Sequence, residues 1–287
     1  MIPVLLTKIK TRDGIWLDGI YISPPRKDKT CLIWIHGLTS TFYFSQTLIQ
    51  EISSRCQKLG IGYFKFNTRG HDLVCRGQKE GLLLGTVFEK FEDCVYDIDA
   101  MIQSAGMQGY ENIILAGHST GANKALYYLY KTKKRNVKGL ILLGSANDAV
   151  AEIQRIGEKE FEKTSRLAKN LYKKDSSSLF KSHGYLYSAR RYLSLYTPGS
   201  REDVFPYYSP DTQWKELRSI KIPVAVIIGS HDECLDRPAK KFVSIFQKNA
   251  TQAKSFSGII IKGADHSFRK KEKELAGAIM HWIGKID

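Results

Sequence analysis

Long apolar runs are missing from this chain of 287 residues. None approaches the roughly 18 to 20 consecutive apolar residues of a membrane span, so no membrane-spanning helix is expected. The opening stretch from Met1 to Lys8 lacks the basic start, long apolar centre and small-residue exit of a signal peptide. A cytoplasmic location is therefore the expectation. Cysteine is sparse and never paired as C-x-x-C: Cys31, Cys56, Cys75, Cys94 and Cys234 are odd in number and dispersed. Neither a disulfide framework nor a zinc site is indicated, and the five are read as reduced thiols.

Negative charge is also short, with 29 Asp and Glu against 44 Lys and Arg, a formal charge of +15. The surplus invites a nucleic-acid partner, but it lies in short scattered runs (Lys131 to Arg135, Lys173-Lys174, Lys240-Lys241, Arg269 to Lys273) with no recognised nucleic-acid module. Solvated helix faces and ends explain most of it, so no nucleic acid is expected. The field can still steer an anionic substrate toward a cleft.

What is present suffices for one sizeable α/β domain, since 43% of the residues are hydrophobic. Residues 3 to 10 and Ile15 to Ile22 alternate around a Thr11-Arg12-Asp13-Gly14 turn, which suggests an antiparallel hairpin at a sheet edge. Cys31 to Ile35, Ile61 to Asn67, Ile113 to Ala116, Val137 to Leu143 and Ile222 to Ile228 read as buried strands, and Ser257 to Ile261 as the last strand. Helices are expected over Phe44 to Leu59, Val87 to Ala105, from Ala122 onward, Pro238 to Lys248 and Phe268 to Ile283. Strand and helix in alternation imply a mostly parallel sheet. The alternation breaks between about Ala146 and Trp214, too long a stretch for a simple crossover. The expected division is a core of 1–145 and 215–287 with a cap or lid at 146–214, inserted between the sixth and seventh core strands.

The chain is organised around Ile113-Ile114-Leu115-Ala116-Gly117-His118-Ser119-Thr120-Gly121, an apolar run that stops at a serine bracketed by glycines and passes into a helix. This is G-x-S-x-G in the strand-turn-helix context that gives it meaning. A serine hydroxyl needs a base and an orienting acid to act as a nucleophile at neutral pH. Asp232 and Glu233 leave a strand end about 113 residues later, and His266 follows about 34 residues further on. The order serine, acid, histidine suits such a site; Asp232 is the expected acid, with Glu233 the alternative.

Taken with the His36-Gly37 loop after the third strand, these residues make the chain resemble the α/β-hydrolase superfamily over nearly its whole length. The insertion and its Tyr- and Arg-rich end are similar to the group that includes siderophore esterases. The resemblance implies Ser119, Asp232 and His266 as catalytic residues, with the Leu38 and Thr120 backbone N–H groups as an oxyanion hole. His36, His118, Arg190 and Arg191 are candidate substrate contacts, His36 as a hydrogen-bonding member of the oxyanion loop and His118 as a packing or site-lining group. His231, beside the acid, reads like His118. Arg69-Gly70-His71-Asp72 reads as a structural turn. The tyrosines of the insertion are either a small core of their own or substrate contacts.

The expected activity is hydrolysis of a carboxylic ester through an acyl-enzyme, without metal or organic cofactor. A thioester or amide substrate, or a non-catalytic hydrolase fold that binds a ligand, are the alternatives. The expected partner is a small-molecule ester or acyl substrate; oligomeric state stays open.

Overall fold

The computed structural model describes residues 3–26, 28–209 and 212–286. Met1, Ile2, Lys27 and Asp287 of the expected core, and Pro210 and Asp211 of the expected insertion, lie outside the described residues. Along the chain, β1 (Leu5–Lys10) and β2 (Trp16–Ile22) make a hairpin, β3 (Thr30–Ile35) leads to α1 (Gln46–Lys58), and β4 (Gly62–Phe66) follows. A small hairpin of β5 (Cys75–Arg76) and β6 (Leu83–Leu84) precedes α2 (Cys94–Met107); β7 (Asn112–His118) then enters α3 (Thr120–Thr132), and β8 (Val137–Leu143) comes next. After it lie α4 (Asp148–Ile156), α5 (Glu158–Lys174), a hairpin of β9 (Leu179–Ser182) and β10 (Tyr185–Ser188), α6 (Ala189–Tyr196) and the short α7 (Lys215–Arg218). The last elements are β11 (Val224–Gly229), α8 (Ala239–Asn249), β12 (Phe256–Ile261) and α9 (Glu272–Ile283).

Eight strands form one sheet in the order β1-β2-β4-β3-β7-β8-β11-β12. Pairing is parallel from β4 through β12 and antiparallel at the β1-β2-β4 edge. The central strands read as unbroken apolar runs because helices cover both faces. On one face Ile33, Leu115, Leu140 and Val226 pack against α2, α3 and α8. On the other, Leu32, Ile114, Ile141 and Ile227 pack against α1 and α9. This is the α/β-hydrolase fold. Among the described residues no helix is long and apolar enough to cross a membrane.

The helix expected from Val87 begins at Cys94 instead. Its apparent first turns are a loop whose N–H groups pair elsewhere: Thr86 N–H donates to the Asp72 carbonyl and Val87 N–H to that of Leu73, at 3.0 and 3.1 Å. The closing helix begins at Glu272, because Phe268 and Lys270 hold positive φ of 55° and 61° and keep the preceding turn out of helical geometry. Arg69 behaves as a structural residue: it is buried, its guanidinium bonded to Asp97 and Asp13.

Between β8 and β11, the tyrosines Tyr187, Tyr192 and Tyr196 form a small buried core with Ala168 and Leu195, against which Leu38 packs. A buried ion network ties this segment to the sheet helices. Arg191 of α6 pairs with Glu89 at 3.2 Å and Glu202 at 2.5 Å, and Glu89 pairs with Lys124 of α3 at 2.5 Å. All four side chains are essentially inaccessible to water. Removing one member leaves an uncompensated buried charge, an effect of about 3–5 kcal/mol. Arg191→Met is therefore expected to lose about that much stability in urea unfolding; a loss under about 1 kcal/mol contradicts the network's role.

Candidate active site

β7 runs up the middle of the sheet and turns into α3 within one residue. Ser119 occupies that turn with φ 55° and ψ −130°, a backbone conformation side-chain-bearing residues rarely adopt. Its N–H donates to the Leu143 carbonyl at 2.9 Å, and its own carbonyl accepts from Ala122 N–H at 2.8 Å. A Cβ on Gly117 would stand 2.2 Å from the Gly121 oxygen, and one on Gly121 would stand 2.2 Å from the Ile35 oxygen. Both glycines are thus sterically required, as the motif's spacing suggests.

The expected acid and base come together. His266 Nδ1 lies 3.0 and 3.1 Å from the two Asp232 carboxylate oxygens, and the Asp232 side chain is fully buried. Glu233 takes a different part: it accepts the backbone N–H of His266 at 3.0 Å and so holds the loop, not the ring. Burial works against a charged His266, yet the bonds to Asp232 and the Cys234 thiol outweigh it and hold the imidazole well above its usual pKa. The Asp232 carboxylate also accepts the Cys234 backbone N–H at 2.9 Å. Asp232, Cys234 and His266 bring three possible metal-ligand atoms within 4.8 Å of one another. Here carboxylate and ring bond each other, an arrangement that orients a proton acceptor.

His118 supports this pair. Its Nε2–H donates to the His266 carbonyl at 2.8 Å, and its ring lies 5.2 Å from the His266 ring and 6.0 Å from that of Phe268. Burial, with His266 beside it, pulls its pKa down to about 4, so it stays neutral. His36 is likewise neutral, drawn down to about 3 by burial and by Lys124. Its Nδ1–H donates to the Gly37 carbonyl at 2.8 Å and its Nε2 accepts Thr68 N–H at 2.9 Å, which fixes the loop after β3. His231 is exposed.

Ser119, His266, His118, His36, Gly37 and Leu38 all line one cleft of about 170 Å³. Among the described residues Ser119 and the His266 ring share this cleft without a hydrogen bond between them, and Leu38 N–H has no backbone or side-chain acceptor. Thr120 N–H, first in α3, has no acceptor within its helix. Two candidate substrate contacts lie elsewhere. Arg191 is sealed in the ion network, and Arg190 donates to the Phe88 carbonyl at 3.1 Å and lines a separate cleft with Lys90 and Tyr172. Lys65 of β4 also lines the serine cleft; a lysine inside an apolar strand run is the one sign of it in the sequence.

A family described as "Protein of unknown function (DUF1749)" matches residues 20–283. The chain belongs to this family. No curated protein matches it. Its structure is similar to the siderophore hydrolase EstB from Aspergillus fumigatus, at 18% identity and TM-score 0.71, over 100% of this chain and 98% of that one. It is also similar to Est1E from Butyrivibrio proteoclasticus in a ferulic acid complex, at 18% identity and TM-score 0.65, over 97% and 98%. The Pyrococcus furiosus esterase PF2001 aligns at 17% identity and TM-score 0.63, over 99% and 92%. At such identities these likenesses speak for the fold.

The Asp232–His266 bond has a consequence that needs no substrate. NMR titration of the His266 ring is expected to give a pKa above 6.5. Asp232→Asn removes the carboxylate that stabilises the imidazolium and is expected to lower that value by about 1 to 3 pH units. An unchanged titration contradicts the assigned contact.

Proposed function

We propose that this DUF1749 protein is a serine hydrolase that cleaves carboxylic esters through an acyl-enzyme. One observation carries the reading: a strained serine at a strand-to-helix turn shares a cleft with a histidine whose far nitrogen is held by a buried carboxylate. Solved structures of similar fold, among them esterases and a siderophore hydrolase, support it by analogy.

In this mechanism Ser119 Oγ attacks the ester carbonyl while His266 Nε2 takes its proton. Asp232 keeps Nδ1–H pointed at itself, which fixes the tautomer and stabilises the imidazolium as it forms. The developing oxyanion is received by the Leu38 and Thr120 N–H groups, donors worth roughly 3 to 4 kcal/mol each in comparable sites. His266 passes its proton to the departing alcohol, then activates a water that releases the acid and frees Ser119. The chemistry draws on no metal or organic cofactor. The segment 146–214 serves as the cap, and its tyrosine core packs on Leu38, the residue whose N–H receives the oxyanion.

A fluorophosphonate probe is expected to label the intact protein, and short-chain nitrophenyl esters to be hydrolysed. Ser119→Ala abolishes labelling and lowers kcat on the order of 10⁴- to 10⁶-fold. No labelling of the intact protein, or labelling that survives Ser119→Ala, sinks the reading and favours a ligand-binding role for the fold. His266 must be neutral to accept the serine proton, and Asp232 stabilises its charged form. The kcat/KM profile is therefore expected to rise with pH, with its midpoint above 6.5.

A further inference from the structure

Lys65 is out of place by any ordinary rule of burial. Lysine is almost never fully buried unless paired with a carboxylate. Yet Lys65 sits in β4 at 3% exposure, and among the described residues its ammonium makes one hydrogen bond, to the Phe44 carbonyl at 2.7 Å. The other deeply buried cations are matched: Lys124 by Glu89, and Arg191 by Glu89 and Glu202. Lys65 lines the cleft that holds Ser119, and among the described residues no aspartate or glutamate lines that cleft.

A second feature adds positive potential to the same place. Ser45, the N-terminal cap residue of α1, also lines the cleft. It has a positive φ of 63°, makes no side-chain capping bond, and is followed by no acidic residue in the first turn. The partial positive charge at the start of this 13-residue helix is therefore left without an anion of the protein's own. The two nearby histidines, His36 and His118, are neutral and leave the charge balance of the cleft unchanged.

We propose that Lys65 and the start of α1 form an anion-binding subsite, and that the ester this protein cleaves carries a carboxylate on its acyl arm. The proposal rests on the serine-hydrolase reading and names its substrate class. Sheet order assigns the arm. Lys65 lies opposite Trp34 of β3, which lies opposite Ala116 of β7, so it stands two strands to one side of β7 and three residues short of Ser119, a backbone separation of roughly 14 Å that the long lysine side chain shortens. His266 follows β12, on the other side of β7. The leaving alcohol must face the histidine that protonates it, so the acyl arm extends toward β3 and β4. A cleft of about 170 Å³ holds a short chain, which sets the carboxylate a few carbons from the scissile carbonyl. Burial draws Lys65 down to about 7, as expected of an ammonium with no anion beside it, and a bound carboxylate restores the charged form. The chain's net charge of +15 favours the approach of such a substrate.

The test compares 4-nitrophenyl hydrogen glutarate with 4-nitrophenyl pentanoate, acyl chains of equal length that differ in the terminal carboxylate. The Ser119→Ala protein supplies the blank. The wild-type protein is expected to prefer the anionic ester at least about tenfold in kcat/KM, mainly through KM, the size expected of one charge-assisted hydrogen bond. Lys65→Met loses the preference and Lys65→Arg keeps it, each read as the ratio of the two esters in protein that still melts cooperatively. A lysine that merely clamps the loop at Phe44 would leave this ratio unmoved. A wild-type ratio at or below one overturns the proposal whatever the variants do, and so does a preference that survives in Lys65→Met. Serine-dependent turnover of the pentanoate with no preference removes the anion subsite alone; absence of turnover of either ester removes the hydrolase reading and this one with it.

Discussion

The close approach of three backbones around Ser119 is the constraint on which the site depends. Strand β7, the first turn of α3 and the end of β3 come so near that neither Gly117 nor Gly121 has room for a Cβ. That crowding holds the serine at φ 55°, with its amide and carbonyl both committed to neighbours. The conformation is disfavoured locally and survives because the centre of the sheet over-determines it. The hydroxyl is therefore aimed by the most deeply packed part of the molecule. Asp232 and His266, by contrast, come from loops beyond β11 and β12, and a separate set of contacts holds them: Asp232 to the ring, Glu233 to the backbone, His118 to the carbonyl.

Those loops explain how much of the site is legible in the sequence. Ser119, Asp232 and His266 each follow the end of an apolar run, and an apolar run that stops is visible without coordinates. The alternation of strands and helices, the edge hairpin and the position of the long insertion are visible for the same reason. What resists reading depends on partners distant in sequence. Val87 and Phe88 continue the apolar spacing of α2, but the N–H groups of Thr86 and Val87 pair with the loop at Asp72 and Leu73, and no local pattern announces that. Arg190-Arg191 looks like a solvated pair, whereas Arg191 is enclosed because Glu89 and Glu202 happen to meet it. The choice between Asp232 and Glu233 turns on which carboxylate faces the ring and which faces the amide, a matter of one residue's rotation.

The buried charges separate into two kinds, and the difference says what each is for. Lys124, Glu89, Arg191 and Glu202 compensate one another where water does not reach. Burial raises the pKa of Glu89, yet the two cations outweigh it and hold the carboxyl below its usual value. Such an arrangement is complete in itself and joins α3 to the segment that carries the tyrosine core. Charge in the serine cleft is unbalanced. The histidines around Ser119 are kept neutral except His266, whose positive form is favoured by Asp232, and Lys65 has a backbone carbonyl where a carboxylate would be expected. Keeping a desolvated ammonium beside one carbonyl alone carries a free-energy penalty, which draws the Lys65 pKa down to about 7. Among the described residues the other deeply buried cations are matched by carboxylates of the chain, and Lys65 is most simply matched from outside it, by the molecule the cleft receives.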